Sequence, residues 1–336
     1  MNLKESKYEK YALVKEMMET VEVVRNFDPS VSEPFVESLR GKKALFATGE
    51  GSSRIFPAKR SMYASMQGNS YPVVTEGATQ ALEYQLSDYA VFGASNSGKT
   101  KEVIRLFSKL KEEGHNSYFG LTAFRDTPLS KLSIGTHVLS CGNEEAVAAT
   151  KSVIEQGLFY DSLLRNMAGR PMHGLDKLAG DIETALTLEL DEDIVKSIKN
   201  ADTIMFAGRN TGVAEELRLK TNEITRKKSD FLEGTYAVHG IEEVLTANDV
   251  VIVIEPFESE EEKFSEVLVD GVGLKVIAVS SRDTMFPTIE IPDAGEYADY
   301  VELAAGWNIL VDTGLALGID PDKPVRARKV GNEYIV

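Results

Sequence analysis

The chain has 336 residues, is 43% hydrophobic, and carries 53 Asp plus Glu against 37 Lys plus Arg, for a net charge of -16. Such a length accommodates two domains or one large α/β unit with a sizeable core, and the acidic balance excludes a general nucleic-acid or anionic-membrane binder while leaving room for an anionic small substrate. Cys141 is the one cysteine, which excludes an intrachain disulfide and a cysteine-based metal cluster; His115, His137, His173 and His239 show no metal-ligand spacing, so no metal or other cofactor is expected.

The N-terminus, Met1 to Lys7, lacks the apolar core of a signal peptide, and no stretch is long enough to span a bilayer, so a cytoplasmic location is expected. Residues 1–30 read as a helical lead-in, with Leu13, Met17, Val21 and Val24 at helical spacing. A strand, glycine turn and helix start follow at Ala44 to Ser53. Tyr89–Phe92 reads as a buried strand, residues 93–100 as a loop, and Lys101 to Lys111 as a helix. Tyr118 to Leu121 is the next strand, and a helix near Asp176–Leu190 joins the halves. The plan then recurs: strand and turn at Thr203 to Gly212, a helix from about Gly212 to Lys228, and strands at Val250–Ile254 and Val276–Val279. Strands alternating with helices predict parallel sheets with ligands at the carboxyl ends of the strands. The expectation is an α/β protein of two doubly wound subdomains, each a parallel sheet flanked by helices, over residues 31–190 and 191–336.

The loop 93–100, Gly-Ala-Ser-Asn-Ser-Gly-Lys-Thr, matches the Walker A pattern letter for letter. Placed between strand and helix it suits a phosphate, because N–H groups at a helix N-terminus carry partial positive charge and Ser95, Asn96, Ser97 and Thr100 can add side-chain donors. A nucleotide site also needs an acidic residue closing a nearby strand to help hold magnesium. The runs through Thr122 and through Ser140-Cys141-Gly142 supply none. The serines favour a phosphate monoester.

Glu216, Lys220 and Glu223 lie at i, i+4 and i+7, on one face of the helix after Gly212. Taken alone, that spacing fits an ordinary solvated ion pair. His239, before Gly240, fits a structural histidine, and Lys329 a solvated tail residue.

Together these residues resemble a known arrangement. Gly49-Glu50-Gly51-Ser52-Ser53, the loop Ser95 to Thr100 and Glu144 to Lys151 look like the three phosphate-side segments of sugar isomerase (SIS) domains. The likeness extends to the isomerase half of glucosamine-6-phosphate synthase and to stand-alone tandem-SIS aminosugar-phosphate deaminases. Glu216, Lys220, Glu223 and His239 match that family's helix and His-Gly spacing, and Asp322-Lys323-Pro324 with Lys329 matches its C-terminal tail. The resemblance implies a sugar-phosphate site at Gly49, Gly51, Ser52, Ser95, Asn96, Ser97, Thr100, Val147 and Ala149. It also implies a homodimer in which the histidine enters the partner's site. No counterpart of a glutaminase domain is present, so ammonia is not expected to come from glutamine.

Residue chemistry gives each group a role. Aldose–ketose interconversion moves a proton between C1 and C2, which suits Glu223 as base and then acid, with His239 moving protons during ring opening. Lys329 suits Schiff-base formation with a ketose carbonyl, and Lys220, paired with Glu216, suits stabilising oxyanion charge or orienting Glu223. The tail is apolar after Lys329, at Val330, Tyr334, Ile335 and Val336, so it is expected to dock. The reading is deamination of glucosamine 6-phosphate to fructose 6-phosphate and ammonia. The alternatives are a deglycase of a 6-phosphorylated sugar–amino acid adduct and a non-catalytic sugar-phosphate sensor.

Overall fold

The structure, a computed structural model, describes residues 1–68, 71–329 and 331–334. Its strands are β1 (Ala44–Gly49), β2 (Val73–Gly77), β3 (Tyr89–Ala94), β4 (Tyr118–Thr122), β5 (Gly135–Val138), β6 (Thr203–Gly208), β7 (Lys228–Glu233), β8 (Val250–Ile254), β9 (Lys275–Ser280) and β10 (Thr288–Glu290). The longer helices are α1 (Ala12–Arg25), α2 (Ile55–Gln67), α3 (Lys101–Glu112), α4 (Lys151–Met167), α5 (Leu175–Thr187), α6 (Glu192–Asn200), α7 (Val213–Ile224) and α8 (Ala298–Ala316).

Two all-parallel sheets of five strands form, in the orders β2-β1-β3-β4-β5 and β10-β9-β8-β6-β7. Each has the same order relative to its first strand, and each reverses direction beside it, between β1 and β3 and between β6 and β8. A reversal of this kind leaves a crevice at the carboxyl ends of the strands. The chain divides into two compact units. One holds Met1–Val21, Ala146–Ala148 and Lys177–Arg326 with the second sheet; the other holds Glu22–Glu145, Ala149–Asp176 and the tail from Ala327 with the first sheet.

In the first-sheet unit, alternation along the strands fills both faces. Leu45, Ala47, Ala90, Phe92 and Ala94 pack with Phe159, Tyr160 and Leu163 of α4, while Phe46 and Val91 pack with Val103, Ile104, Leu106, Phe107 and Leu110 of α3. A sheet buried on both sides explains why its strands read as continuous apolar runs. In the second-sheet unit, Met205, Ala207, Val251, Val253, Val276 and Ala278 pack with Phe264 and Leu268. Ile204, Phe206, Ile252, Ile277 and Val279 fill the opposite face. There α7 lies close to α8, since a Cβ added at Gly306 would stand 2.3 Å from the Leu217 side chain.

The helix predicted to reach Lys228 stops at Ile224. Arg226 takes a left-handed conformation (φ 57°), and the Thr225 hydroxyl bonds back to Thr221 O at 2.7 Å, so the chain turns and Lys228 starts β7. The edge strands β2, β7 and β10 escaped the sequence reading: each is short or only partly buried, and their residues lack a continuous apolar run.

Candidate active site

The 95–100 loop joins β3 to α3 at the reversal point of the first sheet. Gly98 turns it with φ +64°, and a Cβ there would lie 2.4 Å from Thr127, so only glycine fits. Ser95 is buried; its hydroxyl bonds the Thr100 hydroxyl at 2.8 Å and accepts from Thr100 N at 3.3 Å. The Ser97 hydroxyl accepts from Lys99 N at 3.2 Å. Asn96, expected as a donor to the ligand, donates one of its two side-chain N–H groups to Glu144 at 2.9 Å. The loop's serine, threonine and asparagine side chains leave as donors for an anion the Ser97 hydroxyl, one of the Ser95–Thr100 pair and the second N–H of Asn96.

Gly49 ends β1 against this loop, where an added Cβ would sit 2.9 Å from Ala94 O, and Gly51 and Ser52 follow in a short 3-10 turn. Ala149 lies in the same unit, before the N-cap of α4, whereas Val147 groups with the second-sheet unit. Glu50, directly after β1, is an acidic residue that closes the strand paired with β3, and it lies outside the two runs in which such a residue was sought. Burial raises its pKa, opposed by N–H groups at Thr79 and Ala78.

The tail docks on this unit. Lys101 N donates to Asn332 O at 3.0 Å and Tyr334 N to Lys99 O at 2.8 Å, while Lys99 pairs with Glu333 at 3.0 Å. Lys329, with 29% of its side chain exposed, lies 3.6 Å from the buried carboxylate of Glu144. Of the apolar tail residues, Val330, Ile335 and Val336 lie outside the described residues. Further back, Asp322 accepts from Ala12 N at 2.7 Å and Leu13 N at 3.0 Å, capping α1.

In the second-sheet unit α7 brings three charged groups together. Lys220 lies 3.2 Å from Glu216 and 2.9 Å from Glu223. The surface ion pair that spacing alone suggests is not what forms: Lys220 and Glu216 are 0% exposed, and Glu223 is 22% exposed. Burial pushes the Lys220 pKa down, but the two carboxylates outweigh it and hold it above the usual lysine range. Two carboxylates share one fixed ammonium, and Glu223 is the member of the three that reaches the surface. His239 sits exposed on the turn after β7, beside Gly240. No hydrogen bond from its ring is found among the described residues. Nor do the described residues contain a group of three or more His, Cys, Asp or Glu placed to hold a metal ion.

Residues 38–165 match the SIS domain family. This part of the chain is similar to a SIS domain. It runs from just before β1 through most of α4 and so contains the whole 95–100 loop. Across nearly the full chain, solved structures share the two-sheet fold. The C-terminal domain of glucosamine-fructose-6-phosphate aminotransferase from Francisella tularensis is 18% identical, with a TM-score of 0.77 over 94% of this chain and 98% of that one. Glucosamine-6-phosphate deaminase from Thermotoga maritima is 21% identical, with a TM-score of 0.71 over 94% and 99%. Tagatose-6-phosphate ketose/aldose isomerase from Escherichia coli is 15% identical, with a TM-score of 0.74 over 94% and 95%. In sequence, the glutamine–fructose-6-phosphate aminotransferase of Sulfolobus acidocaldarius is 22% identical over 93% of this chain, which spans 55% of that relative's length. The chain therefore shares the fold of these structures, two subdomains each built on a parallel sheet. Among the described residues no helix is long and apolar enough to cross a membrane.

Sequence reasoning passed over Glu144 as a site residue, although it falls inside a segment that carries the family likeness. Its only sequence signal was a carboxylate shortly before a Thr-Lys-Ser helix start, which is common at helix N-termini.

Proposed function

We propose that the protein is a phosphosugar isomerase that deaminates glucosamine 6-phosphate to fructose 6-phosphate and ammonia. The observation that carries this reading is the Glu216–Lys220–Glu223 cluster, a buried ammonium that fixes a partly exposed carboxylate as an anion-side base. The 95–100 loop is the place for the sugar phosphate, with the Ser97 hydroxyl and the first-turn N–H groups of α3 beyond Lys101 as its donors.

After ring opening, assisted by His239, Glu223 removes the proton from C2 of the amino aldose and returns it to C1, while the C1 oxygen gains a proton and the C2 amine loses one, leaving an imine at C2. The Lys329 ammonium passes a proton to the imine nitrogen and, as the free amine, adds to C2; the C2–N bond to ammonia then breaks, and water hydrolyses the resulting lysine imine to release the ketose and restore the lysine. Lys220 steadies Glu223 and offsets negative charge as the C2 proton leaves. The exposed loop bearing His239, with Tyr236 62% and Val244 71% exposed, is proposed as the face of a homodimer.

The test is to incubate the purified protein with glucosamine 6-phosphate and measure ammonia and fructose 6-phosphate together. Equal release of both is expected. Ketose–aldose interconversion without ammonia moves the assignment to a simple isomerase, and tight binding without turnover moves it to a sensor.

A further inference from the structure

One buried carboxylate that the proposed mechanism does not use ties together three segments of the SIS unit. Glu144 Oε1 accepts from Thr150 N at 2.8 Å. Its Oε2 accepts from the Ser152 hydroxyl at 2.6 Å and the Asn96 side-chain amide at 2.9 Å, and it faces Lys329 Nζ at 3.6 Å. These donors come from the start of α4, the phosphate-side loop and the tail. Burial pushes the Glu144 carboxyl up, yet Lys329 and the Ser152 and Thr150 donors outweigh it and hold it below the usual carboxylate range.

We propose that Glu144 is a positioning residue that sets the Lys329 amine against the 95–100 loop. A neutral acceptor would satisfy Thr150 and Ser152 as a helix cap. The contact with Lys329 is different, because 3.6 Å is beyond direct hydrogen bonding and is held by charge. Asn96 and Lys329 converge on the same oxygen, so a displaced loop also displaces the amine's anchor. The tail lysine is thus tied to the loop through one carboxylate oxygen. The inference rests on the reading of Lys329 as the attacking amine.

Glu144→Gln keeps the shape and removes the charge. Borohydride trapping with fructose 6-phosphate and peptide mass mapping reads the adduct on Lys329, and steady-state kinetics separates kcat from KM. Adduct yield and kcat are expected to fall roughly 10-fold with KM changed less than about 3-fold, a coupling of the size found between residues in contact. In a Lys329→Met background, Glu144→Gln should cost less than about 2-fold more, since it acts through the lysine. Glu144→Asp, which keeps the charge but withdraws it from Lys329, gives the same loss and serves if the glutamine variant does not fold. A wild-type level of adduct in both variants, or effects that multiply in the double variant, overturns the positioning role while leaving the Lys329 reading intact. Full activity of Lys329→Met with no wild-type adduct overturns both.

Discussion

Lys220→Met removes the ammonium on which the α7 cluster depends. The amine stands 3.2 Å and 2.9 Å from two carboxylates, and both it and Glu216 are shut off from water. At such separations a unit pair attracts by roughly 5 kcal/mol at an effective dielectric of about 20, and much of that is offset by desolvating the ions. What is measured on truncating one partner is the cost of stranding the other, about 3–5 kcal/mol for a buried pair. Methionine fills the same space, so little of the loss is packing. The chain has one tryptophan, Trp307, fully buried in α8, which packs on α7 through Gly306. Its fluorescence in a urea titration therefore reports the unfolding of this unit. Adding Glu216→Gln removes the stranded charge and should restore at least about half of the lost stability, because deleting both partners of a buried pair is often close to neutral. A loss below about 1 kcal/mol in Lys220→Met, the range of exposed pairs, would show that the ammonium is not enclosed by its carboxylates.

Glu223→Gln should lower kcat about 10²–10⁴-fold with Trp307 unfolding little changed, as steady-state assays and urea titration can show; near-wild-type turnover removes it as the base. Gly306→Ala places a methyl 2.3 Å from Leu217 and should cost about 1–3 kcal/mol by overpacking, with Leu217→Ala in the same chain recovering part of it. Because the Glu144 pKa is depressed in the folded protein, its contribution to stability is full above the unfolded carboxyl value of about 4.3 and is lost as pH falls through the folded value. The stability gap between wild type and Glu144→Gln should accordingly close in acid, which urea titrations from neutral pH downward will measure. Calorimetry should show hexose 6-phosphate binding and no magnesium-dependent ATP binding at submicromolar affinity; the reverse pattern would return the loop to the nucleotide class.

What could be read from the sequence followed from burial. β1, β3, β4, β6, β8 and β9 are enclosed on both faces and announce themselves as apolar runs, whereas Lys228–Glu233 and Thr288–Glu290 lie at sheet edges and look like loop. Spacing put Glu216, Lys220 and Glu223 on one face of a helix, but a pattern of charges does not say whether water reaches them, and here it does not reach two of the three. Glu144 was hidden for a related reason. Its partners are 48 residues back at Asn96 and far along the chain at Lys329, and no local periodicity encodes such a convergence.

The same distinction between a string of letters and a set of contacts decides how the 93–100 loop should be understood. A P-loop lysine must reach back over the phosphates and its threonine must be free to meet magnesium. Here Lys99 is directed at Glu333 of the tail, and the Thr100 hydroxyl is turned to Ser95. The backbone of Lys99 and Lys101 is also paired with Tyr334 and Asn332, so the tail takes an N–H at the start of α3 that a nucleotide-binding loop would leave for its ligand. A small phosphate monoester, needing a few donors on one side, is compatible with that occupancy. A triphosphate wrapped by the whole loop is not, unless the tail leaves.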